Sequence, residues 1–181
     1  TKADLAFTMH ILYNLSTAGT AAIVEFPGVL YRGGAEQKIR QYLIENNYVD
    51  TVIQLPSNLF FGVGIATCII VLKKSKADNS VLFIDASEDY VKNGNKNLLT
   101  EENLDTIFNE YHEREDVQYK AKLVSNTDIL ANDCNLSVSS YVEQEDKREK
   151  IDIEALNASI AEIVAEGVLL RNNIDTIISN L

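Results

Sequence analysis

The sequence predicts an α/β fold: a mostly parallel sheet that ends in an antiparallel hairpin, followed by a long C-terminal helix. Three observations carry this. Helical and strand periodicities alternate through residues 3–55, which implies parallel strands joined by crossover helices. Two apolar runs, 49–55 and 67–72, follow one another with about ten residues and no helix between them, which asks for antiparallel pairing. Finally, residues 151–181 keep large aliphatic side chains at heptad spacing.

Each element has its own signal. Leu5, Met9, Leu12 and Leu15 share one face of a helix over 3–16, closed by Gly19. The short apolar run 21–26, bounded by Gly19 and Pro27, reads as a buried strand. A helix over 35–46 places Ile39, Leu43 and Ile44 on one side, with Glu36, Lys38, Arg40 and Glu45 outside. Residues 49–55 form a strand stopped by Pro56. The run TCIIVL at 67–72 has no polar interruption and is expected to be central in the sheet. VLFID at 81–85 is a further strand, expected at the sheet edge, and the polar, Gly/Asn-rich stretch 86–99 is expected to be loop. Thr100 suits an N-cap, with Glu101 and Glu102 behind it, for a helix running to about Glu113. Residues 122–125 fit a strand, 127–131 a short helix and 135–142 an extended segment. EQEDKREK at 143–150 is a charged, solvated linker.

In the tail, Ile153, Leu156, Ile160, Ile163, Gly167, Leu170, Ile174, Ile177 and Leu181 are spaced alternately three and four residues apart. One reading is an amphipathic helix packed on its own domain. The strict 3.5-residue period favours the other, a coiled-coil arm for a partner. These signals divide the chain into 1–85, 86–150 and the helix at 151–181.

With 181 residues and 46% hydrophobic content, the chain can bury a real core. No run approaches ~18 consecutive apolar residues, so no membrane association is expected. The first 15 residues lack the basic and apolar regions of a signal peptide. Thr1 is not Met, so a fragment or processed product is expected. Cys68 and Cys134 are isolated, without CxxC or His pairing, and read as reduced thiols of a cytoplasmic protein. Charge is uneven: residues 1–80 carry 7 basic and 6 acidic side chains, a balance of +1, and residues 81–181 carry 9 and 21, a balance of −12. An acidic second half repels phosphate, so any DNA contact is expected in the first half or on a partner.

The motifs are few. Phe60-Phe61-Gly62-Val63-Gly64 matches F-x-G-x-G, a cofactor-loop pattern of S-adenosylmethionine-dependent methyltransferases. Such a loop should follow a strand and open a helix. Here a strand follows instead, so a turn between antiparallel strands fits better. Arg32-Gly33-Gly34 precedes a helix and is either a plain helix entry or an anion contact through Arg32. His10 and His112 have no partners at catalytic spacing. Walker A, HExxH and CxxC patterns are missing from the sequence, and no metal site is expected.

The block GVLYRGGAEQKIRQYLI, then LPSNLFFGVGIATCIIVLKK, then VLFIDAS and NDCNLSVSSYV, resembles the modification subunit of type I restriction–modification systems, an N6-adenine DNA methyltransferase. Ala66 and Cys134 depart from the family's usual Pro and Tyr. The resemblance implies the C-terminal half of a Rossmann-like methyltransferase domain, whose strands 5, 6 and 7 are the first three strands here. It implies that the C-terminal helix, through Ile153, Leu156, Ile160, Ile163, Leu170, Ile174 and Ile177, docks on the specificity subunit, with the restriction subunit and duplex DNA as further partners. It implies S-adenosylmethionine as cofactor of the full-length enzyme, none being expected to bind this stretch alone. The family's Asn-Pro-Pro-Phe/Tyr loop has no counterpart, since Pro27 and Pro56 are the only prolines. The chain is therefore expected to begin just downstream of the catalytic motif and to be inactive alone. Phe60, with Phe61 second, matches the position from which adenine methyltransferases offer a ring to the flipped base; the other reading is that both rings fill the core beneath the turn. The competing reading is a non-catalytic α/β module that presents a coiled-coil helix.

Overall fold

The computed structural model describes residues 3–145 and 152–179. It divides into two compact units, residues 1–145 and 146–181.

The first unit is built on a five-stranded sheet. Its strands are β1 (Thr20–Glu25), β2 (Val49–Gln54), β3 (Cys68–Lys73), β4 (Ser80–Asp85) and β7 (Ala121–Ser125), in the order β1-β3-β2-β4-β7. β3 pairs antiparallel with both β1 and β2, β4 lies parallel to β2, and β7 closes the sheet antiparallel to β4. β1, β2 and β4 thus point the same way, with β3 threaded between the first two against them. This is the α/β class expected, with the hairpin strand inside the sheet.

Burial follows the alternation of side chains across the sheet. On one face Val52, Cys68, Ile70, Leu72, Val81 and Phe83 pack against α1 (Asp4–Asn14), α2 (Ala35–Glu45) and α4 (Asn126–Ala131). On the other, Ile53, Leu82 and Ile84 pack with Ile107 of α3 (Glu101–Glu113). α3 starts at Thr100, whose side chain accepts from the Asn103 amide while the Asn103 side chain accepts from the Thr100 amide, a reciprocal cap.

Several expectations are corrected. The first strand is not buried: β1 alternates between exposed and half-buried because it is an edge strand. VLFID is not at the edge, since β7 covers it. Residues 86–99 are not all loop: β5 (Val91–Asn93) and β6 (Lys96–Leu98) form a hairpin, turned through Gly94 at a φ of 62°. The segment 135–142 is not simply extended, because Val138–Ser140 form a 3₁₀ turn. The stretch 86–145 supplies β7 and α4 to the same sheet and core as residues 1–85.

Arg40 lies inside, at 2% exposure, rather than on the outer face of α2. Its guanidinium donates to the carbonyls of Cys134 and Val29, each at 2.8 Å. It thereby ties α2 to the turn before it and to a loop some ninety residues on. Asp50, 3% exposed, sits where the β2–β3 register shifts. A bulge of this kind redirects a side chain, and here the carboxylate meets Lys73 at 3.0 Å and Arg114 at 3.2 Å.

In the second unit, α5 (Ile153–Ser179) is a single helix of 27 residues that runs through Gly167. None of its described residues is buried. Ile153, Leu156, Ile160, Ile163, Leu170, Ile174 and Ile177 are all exposed, joined by Val164, Val168, Leu169 and Ile178. Leu181 and the linker residues 146–150 lie outside the described residues. No helix among the described residues is long and apolar enough to cross a membrane.

Replacing Arg40 by Met should cost about 2–4 kcal/mol, because two buried carbonyls lose their donor. Arg40→Lys should recover only part of this, since one ammonium cannot reproduce the fork. Urea unfolding of the three proteins measures both effects.

Candidate functional site

β1, the turn after it and the β2–β3 connection meet at a pocket of about 540 Å³ lined by Asp4, Val24, Glu25, Phe26, Arg32, Phe60, Val63 and Thr67. The strand register builds it. Glu25 is opposite Cys68 at the end of the β1–β3 ladder, so the residue before Cys68 arrives at the same end. Thr67 is 6% exposed, and its hydroxyl is buried with no hydrogen-bond partner among the described residues. Phe60, 45% exposed, contributes a ring from the connection.

The structure therefore brings Phe60 and Arg32 to one pocket and leaves Phe61 out of its lining. Phe61 is 89% exposed, and the Lys96 ammonium stands 4.2 Å from its ring centroid. Arg32 does not extend freely from the helix entry. Its guanidinium lies 3.8 Å from Asp4 and 3.6 Å from Glu36. It also covers Gly28: a Cβ at that glycine would stand 2.3 Å from the guanidinium. Gly34, at a φ of 72°, makes the turn into α2.

Glu25 and Thr67 had no signal of their own in the sequence. Burial raises the Glu25 carboxyl above the usual range, and neighbouring Asp4 and Glu36 add to this. The hydrogen bond donated by the Thr8 hydroxyl at 3.1 Å and one from the Phe26 amide oppose it. The Cys68 thiol donates to the Glu25 carbonyl and is pushed up to about 12, mainly by burial. It is a packing group rather than a nucleophile. Cys134 is also buried, and both cysteines are free. No cluster of metal-ligating side chains occurs among the described residues.

A family model described as N-6 DNA Methylase matches residues 1–150. The chain belongs to the N-6 DNA methylase family. It is similar to the type I restriction enzyme MpnII methylase subunit of Mycoplasma pneumoniae, 45% identical over 181 residues that cover 99% of this chain and 33% of that protein. It is also similar to the MjaVII methylase subunit of Methanocaldococcus jannaschii, 35% identical over 158 residues, 84% of this chain and 27% of that protein. Among solved structures it resembles the type I restriction–modification methyltransferase subunit of Streptococcus thermophilus, with a TM-score of 0.77 at 45% identity, covering 78% of this chain and 31% of that one. The chain thus spans about a third of the length of these relatives. Membership in this family does not favour the non-catalytic module.

The N-6 DNA methylase family implies S-adenosylmethionine, and the residues present do not fit it. The Phe60–Gly64 turn connects two antiparallel strands rather than a strand and a helix. Its backbone amides therefore do not converge at a helix N-terminus, as a cofactor loop of this kind requires.

Because the folded-state pKa of Glu25 is raised, the carboxyl favours folding most when protonated, and that contribution is lost as pH rises through the folded value. Glu25→Gln should therefore raise the melting temperature at neutral pH, and the two proteins should converge below the ordinary carboxylate range. Thermal melts across pH test this.

Proposed function

We propose that the full-length protein is the modification subunit of a type I restriction–modification system and transfers a methyl group from S-adenosylmethionine to N6 of adenine in duplex DNA. In this reading residues 1–85 complete the catalytic sheet, 86–150 form an extension of it, and 151–181 dock the specificity subunit. The restriction subunit joins the same cytoplasmic assembly.

The observation that carries the reading is the placement of Phe60 on the wall of an open pocket at the end of β1 and β3. An adenine paired in a duplex cannot present its amino group to a methyl donor, so the base must leave the stack. An aromatic face in the receiving pocket compensates part of the lost stacking, worth about 1–3 kcal/mol per base. Phe60 is the base-facing ring and Phe61 is not. The cofactor cradle and the polar acceptors for the amino group belong to parts of the protein outside these 181 residues. Arg32, held between Asp4 and Glu36, shapes the pocket wall and is poorly disposed to grip phosphate.

α5 supports the partner assignment. Eleven large apolar side chains stand exposed along a helix about 40 Å long. A solvated helix does not keep such a stripe without a partner, and facing helices supply one.

The isolated chain should show no cofactor-dependent methylation, and transfer by it alone would refute the division of labour. In the full-length protein, Phe60→Ala should lower turnover on unmethylated DNA by roughly 5- to 150-fold, the rate equivalent of one stacking contact. Phe61→Ala should leave turnover near normal. Ile160→Asp with Ile174→Asp should abolish pull-down of the specificity subunit while circular dichroism of the sheet unit stays unchanged, since buried, unpaired carboxylates are costly in a seam.

A further inference from the structure

We propose that the β5–β6 hairpin is a phosphate-gripping element that holds the DNA backbone beside the target-base pocket; this rests on the DNA-methyltransferase reading above. Charge is the first argument. The second half of the chain is strongly acidic, yet residues 90–100 contain Lys92 and Lys96 and no Asp or Glu. The other acid-free stretch with two lysines, 117–127, is neutralised from outside, Lys120 by Asp89 and Lys122 by Asp116. Among the described residues, Lys92 and Lys96 form no salt bridge.

Position is the second argument. Asn97 fastens the hairpin to the β2–β3 connection. Its backbone amide donates to the Asn58 carbonyl at 3.1 Å, and its side-chain amide donates to the Ser57 carbonyl at 2.8 Å. Phe60, which lines the pocket, lies two residues beyond Asn58 on that same connection. The hairpin and the pocket ring are therefore attached to one and the same connection.

The third argument is that stability does not account for these residues. Val91 and Leu98 are half exposed or more, and Lys92 to Lys96 are all exposed. Phe61 is nearly bare, yet Lys96 stands over its ring. An exposed ring holds an ammonium by its π-face while its outward N–H donors stay open to a second partner. Asn93 and Asn95 at the tip add amide donors. Lysine and asparagine donors on an outward-facing turn suit phosphate and sugar contacts, which position a duplex without reading its sequence.

The test uses the full-length protein assembled with its specificity subunit and a synthetic duplex as probe. Lys92→Ala with Lys96→Ala should lower the slope of log affinity against log salt by roughly 2, about 0.9 per lost phosphate contact. KM for DNA should rise, with kcat and the preference among sequences unchanged. Lys92→Arg with Lys96→Arg should restore the slope. An unchanged slope in the alanine variant overturns the proposal. So does an unchanged slope with weakened assembly, which would make the hairpin a protein contact. Phe60→Ala in the same assembly separates the two readings. If it loses turnover while the lysine variant keeps its slope, the hairpin proposal fails alone. If it turns over normally while the lysine variant loses slope, the base-pocket reading fails and the hairpin stands.

Discussion

The position of β3 is the constraint on which the rest of the first unit depends. Its backbone is committed on both edges, to β1 on one side and β2 on the other. Both its faces are covered, as its apolar sequence requires. Since β3 runs against both neighbours, the chain leaving β2 turns back through the connection at residues 55–67. That connection has to pass the C-terminal end of β1. The pocket arises there because the turn is crowded against Glu25 and Phe26, not because a separate element was added to form it.

Buried polar groups then bind distant parts of the chain into one body. Arg40 reaches the loop at Cys134, Asp50 reaches Arg114, and the Asn126 side chain donates to the Ile44 carbonyl and to Asn47. Each joins the first half of the sequence to the extension after residue 86. Apolar contacts between the same elements are abundant but permissive about register. Directional groups with few acceptors in reach select one arrangement, which is where buried polar residues contribute most.

How much of this was legible depended on how local the determinant was. Thr100 and its helix, α2, and the uninterrupted run of β3 could be read because cap chemistry and periodicity act within a few residues. The exposure of β1 could not, because whether an apolar run is central or at an edge depends on which strands come to lie beside it. Arg40 was misplaced for another reason: helical spacing puts it within the arc of Ile39, Leu43 and Ile44, its charge argued for the outside, and its two carbonyl acceptors, distant or non-helical, are what make burial tolerable. The β5–β6 hairpin did carry a signal, the Gly94-Asn95 pair that joins Asn93 to Lys96, which the polar composition around it obscured. At the site, Phe60 and Arg32 stood out as residue types. Their meeting in one pocket, together with Glu25 and Thr67, follows from the β1–β3 register and had no local signature.

The contact between Gly28 and the Arg32 guanidinium gives the pocket a second point of control. The space above position 28 is occupied by a side chain from one helical turn further on, so the two positions share a single volume. Because the guanidinium is the free end of a flexible side chain, a larger residue at 28 is not excluded; it would push the guanidinium from its place between Asp4 and Glu36. The pocket wall is therefore adjustable from position 28, a residue that does not itself line the pocket.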